Sequence, residues 1–445
     1  MVPIPHGTGV RVEDSLQILV ADYVPLANKG EEAIVRGIED MLSPDRPVVL
    51  GLFDDVPEVT QRDNITIFPR QWVFRFEGNS ALSGRGRILM QASIALQLRC
   101  GIYGPLGNLT SAGAEQCHPL RDFFERAQHV LVGHDGVFSV ESCGIIHLAK
   151  KHGKRAGILG ASTGLGGGRL YKAWLYRRAM DESDFCIFRE RHSCESMRQI
   201  CRDPGKLLVG PDPAFAMQPA PPEAARAILE RYELYRKARQ DQRPVVAVTA
   251  LEKGRIYVGF RPDLQGRAKQ QAHARYLAAV LDGLVAKHRA FLLFLPHSVE
   301  ESASDIVAAK HVIEQMKAGP EDSVIIEQDC GARLLKSLIR ACDFLVGERT
   351  HSLIGSVSVG TPFAALTNRQ DTRTHGIIGA MCRCEDQIVD IDIVDDRQAA
   401  SKVMDLFERR DWIKESLGSI RREISSRIKD IVDVIKGPAG AHSGP

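Results

Sequence analysis

An arginine and a histidine two residues apart can hold an anion and move a proton beside it. The stretch "LVGERTHSLIGSVSVGTPFAAL", residues 345–366, contains Arg349-Thr350-His351 where an apolar, strand-like run gives way to a helical pattern. A guanidinium at a strand end grips a carboxylate or phosphate through two parallel hydrogen bonds. A helix beginning near Ser352 adds free N–H groups and the positive end of its dipole. The imidazole of His351 can exchange a proton near neutral pH. The competing account makes Arg349 a surface ion pair and His351 an ordinary helix-start residue.

Other strand ends repeat the pattern. "FRERHS" (188–193) places Arg189 and Arg191 after an apolar run; strand alternation would put them on one face with Glu190 opposed. "GHDGVF" (133–138) offers Asp135 among glycines, able to accept a proton or hydrogen-bond a hydroxyl. In "ANKGEEAI" (27–34), Asn28 suits a helix cap and Gly30 relaxes the backbone, and both could line a site. "LPHSVEES" (295–302) sets His297 after a strand, and "TNRQDTRTHG" (367–376) adds Arg369, Arg373 and His375. Each has a structural alternative: a charged loop, a tight turn, a cap. "GASTG" (160–164) formally matches G-x-S-x-G, but the glycines after it delay the helix that a nucleophile elbow at Ser162 requires. Arginines and histidines recurring at strand carboxyl ends in both halves are best explained by one anionic ligand between them.

The elements that must position these residues alternate between apolar β-rich runs and helical patterns. Runs at 16–24, 47–53, 64–69, 129–136, 155–160, 185–190 and 206–212 read as strands covered on both faces, as in parallel sheets. The expectation is a Rossmann-like α/β domain over 15–217. A proline cluster and charged helix at 218–243 read as a linker. The rhythm restarts at 244–252, 290–297, 323–329, 344–349, 362–367 and 387–391, giving a second Rossmann-like domain over 244–410. Ile413, Leu417, Ile420, Ile424, Ile428, Ile431 and Ile435 form the packing stripe of a terminal helix, 411–436. The tail at 437–445 is too small and polar to pack and is expected to be disordered. Two such domains should face a cleft, with ligands beyond the carboxyl ends of the strands.

Bulk properties exclude several classes. The chain has 445 residues, 44% hydrophobic and 26% charged, with a net charge of +2. A dedicated nucleic-acid binder needs a stronger basic field. The ten cysteines include no C-x-x-C pair, and no metal constellation appears, so no metal and no cofactor are expected. No apolar run reaches the ~18 residues of a membrane span, and "MVPIPHGTGVRVEDS" lacks a signal-peptide core. A cytoplasmic location is expected, with room for peripheral contact at the inner face of a membrane.

Taken in order, these segments resemble the polysaccharide pyruvyl transferases. "NKGEEAI" is similar to the family's N-x-G-[DE]-E-A-I opening, "VLVGHDGVF" to its glycine-rich strand end, and "FRERHS" to R-[DE]-x-x-S. "VGPDPAF" (209–215) resembles the segment closing the first domain, and "LPHS" a P-H strand end. "GERTHSLIGSVSVGTP" matches the strongest signature, R-x-H-S followed by a small-residue helix and G-x-P. The family's closing Y-x-x-K-x-x-G reads here from Gln370 to Gly376; Arg373 keeps the charge and the tyrosine is absent. The resemblance implies a fold similar to the two-domain GT-B glycosyltransferases, phosphoenolpyruvate as donor substrate, a glycan or lipid-linked glycan as acceptor, and a pyruvate ketal as product. It assigns Arg349 and Arg189 to the donor, with Arg373 in support, His351 to acid–base work and Asp135 to an acceptor hydroxyl. Ser352, His297, Asn28 and Gly30 complete the expected substrate contacts. A nucleotide-sugar glycosyltransferase is the main rival, although no carboxylate pair suited to a ribose is evident; a catalytically inactive glycan-binding homologue is the third reading.

Overall fold

The computed structural model describes residues 15–44, 47–74, 84–133, 139–163, 170–251, 258–299 and 304–437. The first sheet takes the order β3 (Thr60–Arg62), β4 (Ile65–Pro69), β2 (Val48–Asp54), β1 (Leu16–Tyr23), β5 (His129–Val132), β6 (Arg155–Ala161), β7 (Phe185–Phe188), β8 (Leu207–Val209). Its strands pair in parallel except β3, which lies antiparallel to β4. β3 is not among the runs that read as strands in the sequence. "TQRDN" is too polar and short to read as a strand, and Asp63 at φ 51° turns the chain back on itself.

The second sheet, β11 (Ser323–Ile325), β10 (Phe291–Phe294), β9 (Val245–Thr249), β12 (Phe344–Gly347), β13 (Phe363–Thr367) and β14 (Ile388–Asp390), is parallel throughout. Both sheets are therefore Rossmann-like, and their strand carboxyl ends carry the candidate residues. Residues 218–243 hold two helices, Pro222–Leu229 and Glu233–Gln240.

Alternation sorts the core. In β1, Leu16, Ile18 and Val20 enter one apolar cluster while Leu19 and Ala21 enter another; in β7, Phe185 and Ile187 part from Cys186 and Phe188 in the same way. The second cluster fills one face of the first sheet. The first cluster continues from the opposite face into the second domain, so the two domains share a core.

Polar contacts close the seam around that shared core. Asn28 forms a β-bridge with Ser298, and the Lys29 N–H donates to His297 O at 2.8 Å. The Lys29 ammonium, almost fully buried, meets Asp329 at 2.6 Å. Glu32 accepts from the Ala332 N–H, at the start of the helix Ala332–Arg340, at 3.2 Å. Arg333 pairs with Glu39 and Asp40. Lys336 donates to the carbonyls of Ala214, Phe215 and Met217.

The terminal helix Arg410–Lys436 crosses back to the first domain. Ile413, Leu417, Ile424, Ile431 and Ile435 of its stripe are buried, with Ile420 and Ile428 partly so. Arg155 at the start of β6 donates to Ile435 O and Val434 O, and Arg427 donates to Val209 O. Of the tail expected to be disordered, 437–445, Gly437 still donates its N–H to Asp433 O at 3.0 Å, and 438–445 lie outside the described residues.

One close approach positions the site. Gly37, on the first helix Lys29–Leu42, lies against the turn Pro213–Phe215; a Cβ there would stand 1.9 Å from Pro213 O. Backbone cannot yield as a side chain can. Gly37→Ala is therefore expected to cost roughly 1–3 kcal/mol of stability through overpacking. Thermal unfolding checks this, and an unchanged melting temperature would show that the helix and turn can separate freely.

Candidate active site

Ten residues, Thr350–Val359, form the helix that follows β12. Arg349 is its N-cap, and no side chain caps the first turn. Ser352 and Leu353 donate their N–H groups back to Arg349 O, whereas Thr350 and His351 have no described acceptor for theirs. Such a terminus attracts negative charge.

Arg349 does not stand free. Its Nε and Nη2 engage both oxygens of Asp305, a carboxylate 1% exposed. Asp305 Oδ2 also accepts the N–H groups of His297 and Ser298, each at 2.9 Å. The carboxylate thus fixes the guanidinium plane and the turn after β10 together. Nη1 of Arg349 makes no bond to a described residue. Next to it, Glu348 is buried and accepts from the Leu251 N–H while its other oxygen lies 2.7 Å from His273 Nε2.

His351 reaches across the seam. Its Nε2 lies 3.7 Å from Asp212 Oδ2, an ion-pair distance too long for a hydrogen bond, and that buried nitrogen has no hydrogen-bond partner among the described residues. Nδ1 lies over Gly30, where a Cβ would stand only 2.3 Å from it. Gly30 therefore serves by lacking a side chain. Asn28 caps the first helix by accepting from the Gly30 N–H at 3.1 Å, which holds that surface in place.

Asp212 is fully buried and had no sequence assignment of its own. Oδ2 accepts from Arg189 Nη1 at 2.9 Å and Oδ1 from the Ala214 N–H at 2.8 Å. Burial works against its charged form, but the His351 contact, the Arg189 charge and the Ala214 N–H outweigh it and hold the carboxyl below its usual range. Arg189, 1% exposed, also donates Nε to Ser162 Oγ at 2.6 Å. That hydroxyl donates onward to Glu190 Oε2 at 2.7 Å. Ser162 is thus held between a cation and a carboxylate.

These contacts revise several expectations. Arg189 is the buried counterion of Asp212 and not an open clamp. β7 ends at Phe188, so strand alternation does not extend to residues 189–191: Arg189 and Glu190 are both buried, whereas the Arg191 side chain is 83% exposed. Ser352 is fully buried; its hydroxyl donates to Arg349 O and lies 2.9 Å from Thr249 Oγ1, so it builds the turn and offers nothing outward. Arg369 pairs with Asp392, and His375 is held between Glu385 and Asp390, so neither adds free charge. Arg373 stays close: its turn is capped by Asp371, and Thr374 of the same turn lies 2.9 Å from Thr350 Oγ1. Gly376 of that segment packs on Glu190. Asp135 lies outside the described residues. Among the described residues no group of three metal-ligating side chains converges.

Asn28, Gly30, His297, Arg349 and His351 do meet at one place, joined by Asp212 and Asp305. Asp212 sits in the "VGPDPAF" segment, where proline neighbours signal a turn. Nothing in the spacing of Asp305 ties it to Arg349, 44 positions away.

A model of the polysaccharide pyruvyl transferase family matches residues 28–370. The chain belongs to the polysaccharide pyruvyl transferase family. Every residue of the seam cluster falls inside that span. A search of curated proteins finds no match in sequence. Among solved structures, the α,α-trehalose 6-phosphate synthase of Burkholderia multivorans aligns over 96% of this chain and 100% of its own, with TM-score 0.54 at 13% identity. A trehalose-phosphate synthase of Burkholderia xenovorans in complex with glucose-6-phosphate covers 95% of this chain and 100% of its own, with TM-score 0.55 at 11% identity. At these identities the likeness shows the fold alone, and that fold is GT-B. No helix among the described residues is long and apolar enough to cross a membrane.

His297 supplies a pH test of this site in the pyruvyl transferase family member. Burial above all pushes its imidazole down to about 4, aided by the nearby charges of Arg349 and His351, against the Leu295 carbonyl and Asp305. The unfolded chain takes up this proton near pH 6.5 and the folded chain only near 4, so stability falls as pH drops through that window. The loss should reach roughly 3 kcal/mol by pH 4. Denaturant unfolding from pH 7 to 4 measures it, and His297→Asn should flatten the slope; an equal slope in both proteins would assign the acid sensitivity elsewhere.

Proposed function

We propose that this protein transfers pyruvate from phosphoenolpyruvate to a pair of glycan hydroxyls, forming a ketal and releasing phosphate. The observation that carries this reading is the uncapped helix terminus bearing Arg349 and His351, each backed by a buried carboxylate from elsewhere in the fold. Phosphoenolpyruvate carries a carboxylate and a phosphate. The N–H groups of Thr350 and His351, Arg349 Nη1 and the adjacent Arg373 provide donors for both.

Ketal formation needs a proton delivered to the enol methylene, which becomes a methyl group. One sugar hydroxyl attacks the carbon bearing phosphate and gives up its proton; a second then displaces phosphate and closes the ring. His351 is the group suited to move these protons. Its Nε2 faces the Asp212 carboxylate, which orients the ring and leaves Nδ1 as the exchanging atom over Gly30. Asp212 acts through His351 and is a positioning residue. Asp135 remains the proposed partner of an acceptor hydroxyl, and the donor charge is balanced by the arginines and the helix terminus. The protein needs no resident cofactor in this scheme.

Incubation with phosphoenolpyruvate and a panel of soluble and lipid-linked glycans, with phosphate release as readout, tests the proposal. Turnover with a UDP-sugar in place of phosphoenolpyruvate would establish the glycosyltransferase alternative.

Three variants separate the roles. Arg349→Lys loses the planar fork, so donor affinity should fall about ten- to a hundred-fold. The Asp305 carboxylate also loses its bidentate partner, so the melting temperature should drop as well. His351→Asn should leave donor affinity nearly intact and cut turnover on the order of a hundred-fold or more. Gly30→Ala should mimic His351→Asn in turnover by displacing the ring, by roughly tenfold or more. Donor binding, turnover and melting curves for the three proteins check this; normal turnover in a well-folded His351→Asn removes the imidazole from the mechanism.

A further inference from the structure

The helix that begins with His351 has a second end, and that end borders a separate cavity of about 800 Å³. Its walls are the connecting segment Phe215–Pro219, the helix Ala332–Arg340, the last turn of the His351 helix at Val357, Ser358 and Val359, and the stretch Gly418–Lys429 of the terminal helix. The His351 helix is ten residues long, so the cavity lies about 15 Å from the first-turn N–H groups. It is a different place from the candidate active site.

Its charge is one-sided. Lys336, Arg340, Arg421, Arg422 and Lys429 line it, and no aspartate or glutamate does. None of the five forms an ion pair with a described carboxylate, in contrast to the neighbouring Arg333 and to Arg349 at the helix's other end. Arg421, Ser425 and Lys429 follow one another at four-residue spacing and so share a stripe of the helix, with Arg422 alongside. Lys336 is 3% exposed, and its ammonium is satisfied only by carbonyls. Burial chiefly pushes it down to about 7; Asp40 opposes this, and the charges of Arg333 and Arg421 add to it. Among the described residues, no carboxylate lines the cavity to neutralise these cations. Between the charged walls, the half-buried Val359 and Ile428 supply apolar surface, with the mostly buried Phe215, Met217 and Ile424 behind them.

We propose that this cavity binds a small diphosphate-bearing molecule, with the diphosphate held by Arg421, Arg422 and Lys429 and its organic portion against the apolar surface. Several cations close together match adjacent phosphates better than one isolated charge. The volume exceeds what a single phosphate fills and suits a small organic ligand. Enclosure by three helices and a connecting segment does not suit an extended nucleic-acid backbone, nor does a net charge of +2. A soluble nucleoside diphosphate and the headgroup of a lipid diphosphate share this chemistry. Bound there, either would bridge the connecting segment, the second domain and the terminal helix.

The test is binding measured by calorimetry on the full chain. The probes are inorganic diphosphate, UDP, and phosphatidylcholine vesicles carrying farnesyl diphosphate. Arg421→Gln/Arg422→Gln is the decisive variant: both side chains are exposed and make no described bond, so it should melt like the wild type. Arg349→Lys controls for anions binding at the His351 end. We expect inorganic diphosphate to bind wild type and Arg349→Lys alike and to lose about tenfold or more in affinity to the double variant. UDP binding with the same dependence assigns a soluble ligand, and vesicle binding without UDP binding assigns the lipid headgroup; either supports the proposal. Equal affinity in wild type and double variant, loss confined to Arg349→Lys, or no binding of any probe overturns it. If the double variant melts low, Lys429→Gln carries the same comparison.

Discussion

A carboxylate with no exposed surface depends wholly on its neighbours. Asp212 keeps its charge because Arg189, His351 and the Ala214 N–H surround it, and each belongs to a different piece of the chain. Removing such a partner leaves a buried charge uncompensated, a penalty of several kcal/mol. The seam must therefore close with His351 opposite Asp212. Gly37 lets the first helix seat the Asp212 turn, and Gly30 makes room for the ring. The two glycines and the carboxylate act as one constraint.

The same logic recurs one step away. Asp305 orients Arg349 and, through the N–H groups of His297 and Ser298, the strand end that meets Asn28 and Lys29. The candidate pair thus lies between two buried carboxylates: Asp212 meets His351 across the seam, and Asp305 holds the strand end that bridges to Asn28 and Lys29. This differs from a cleft whose walls approach only when ligand arrives. Here the candidate side chains sit among the bonds that join the domains, and groups held in place before a ligand arrives need little reorganisation to meet it.

Trehalose-phosphate synthases share this fold at 11–13% identity, so the fold supplies a frame and leaves the chemistry to side chains. In this family member the frame brings a helix terminus to the seam. At its other end, Lys336 ties the second domain to the carbonyls just after Asp212. The first and last turns of one short helix consequently face two regions rich in positive charge, one backed by carboxylates and one without them.

Much of the fold was legible in the sequence because apolar periodicity is local. Parallel strands buried on both faces write continuous runs such as "PVVLGLF", and the terminal helix writes its stripe at three- and four-residue spacing. The polar β3 hairpin left no such trace. Residue types at strand ends marked the site, because ligands in α/β proteins gather there whatever the details. Local pattern could not say which arginine faces outward. Arg189 and Arg349 look alike in sequence, yet one is sealed beside Asp212 and the other stays partly open beside Asp305. Pairing of charges 23 and 44 positions apart is set by how sheets and helices dock, and docking is decided by the packed core rather than by neighbours along the chain. The sequence by itself determined the elements, the family and the candidate ends of strands. Only the tertiary structure decided that His351 meets Asp212, because that contact exists solely where two domains bury one carboxylate between them.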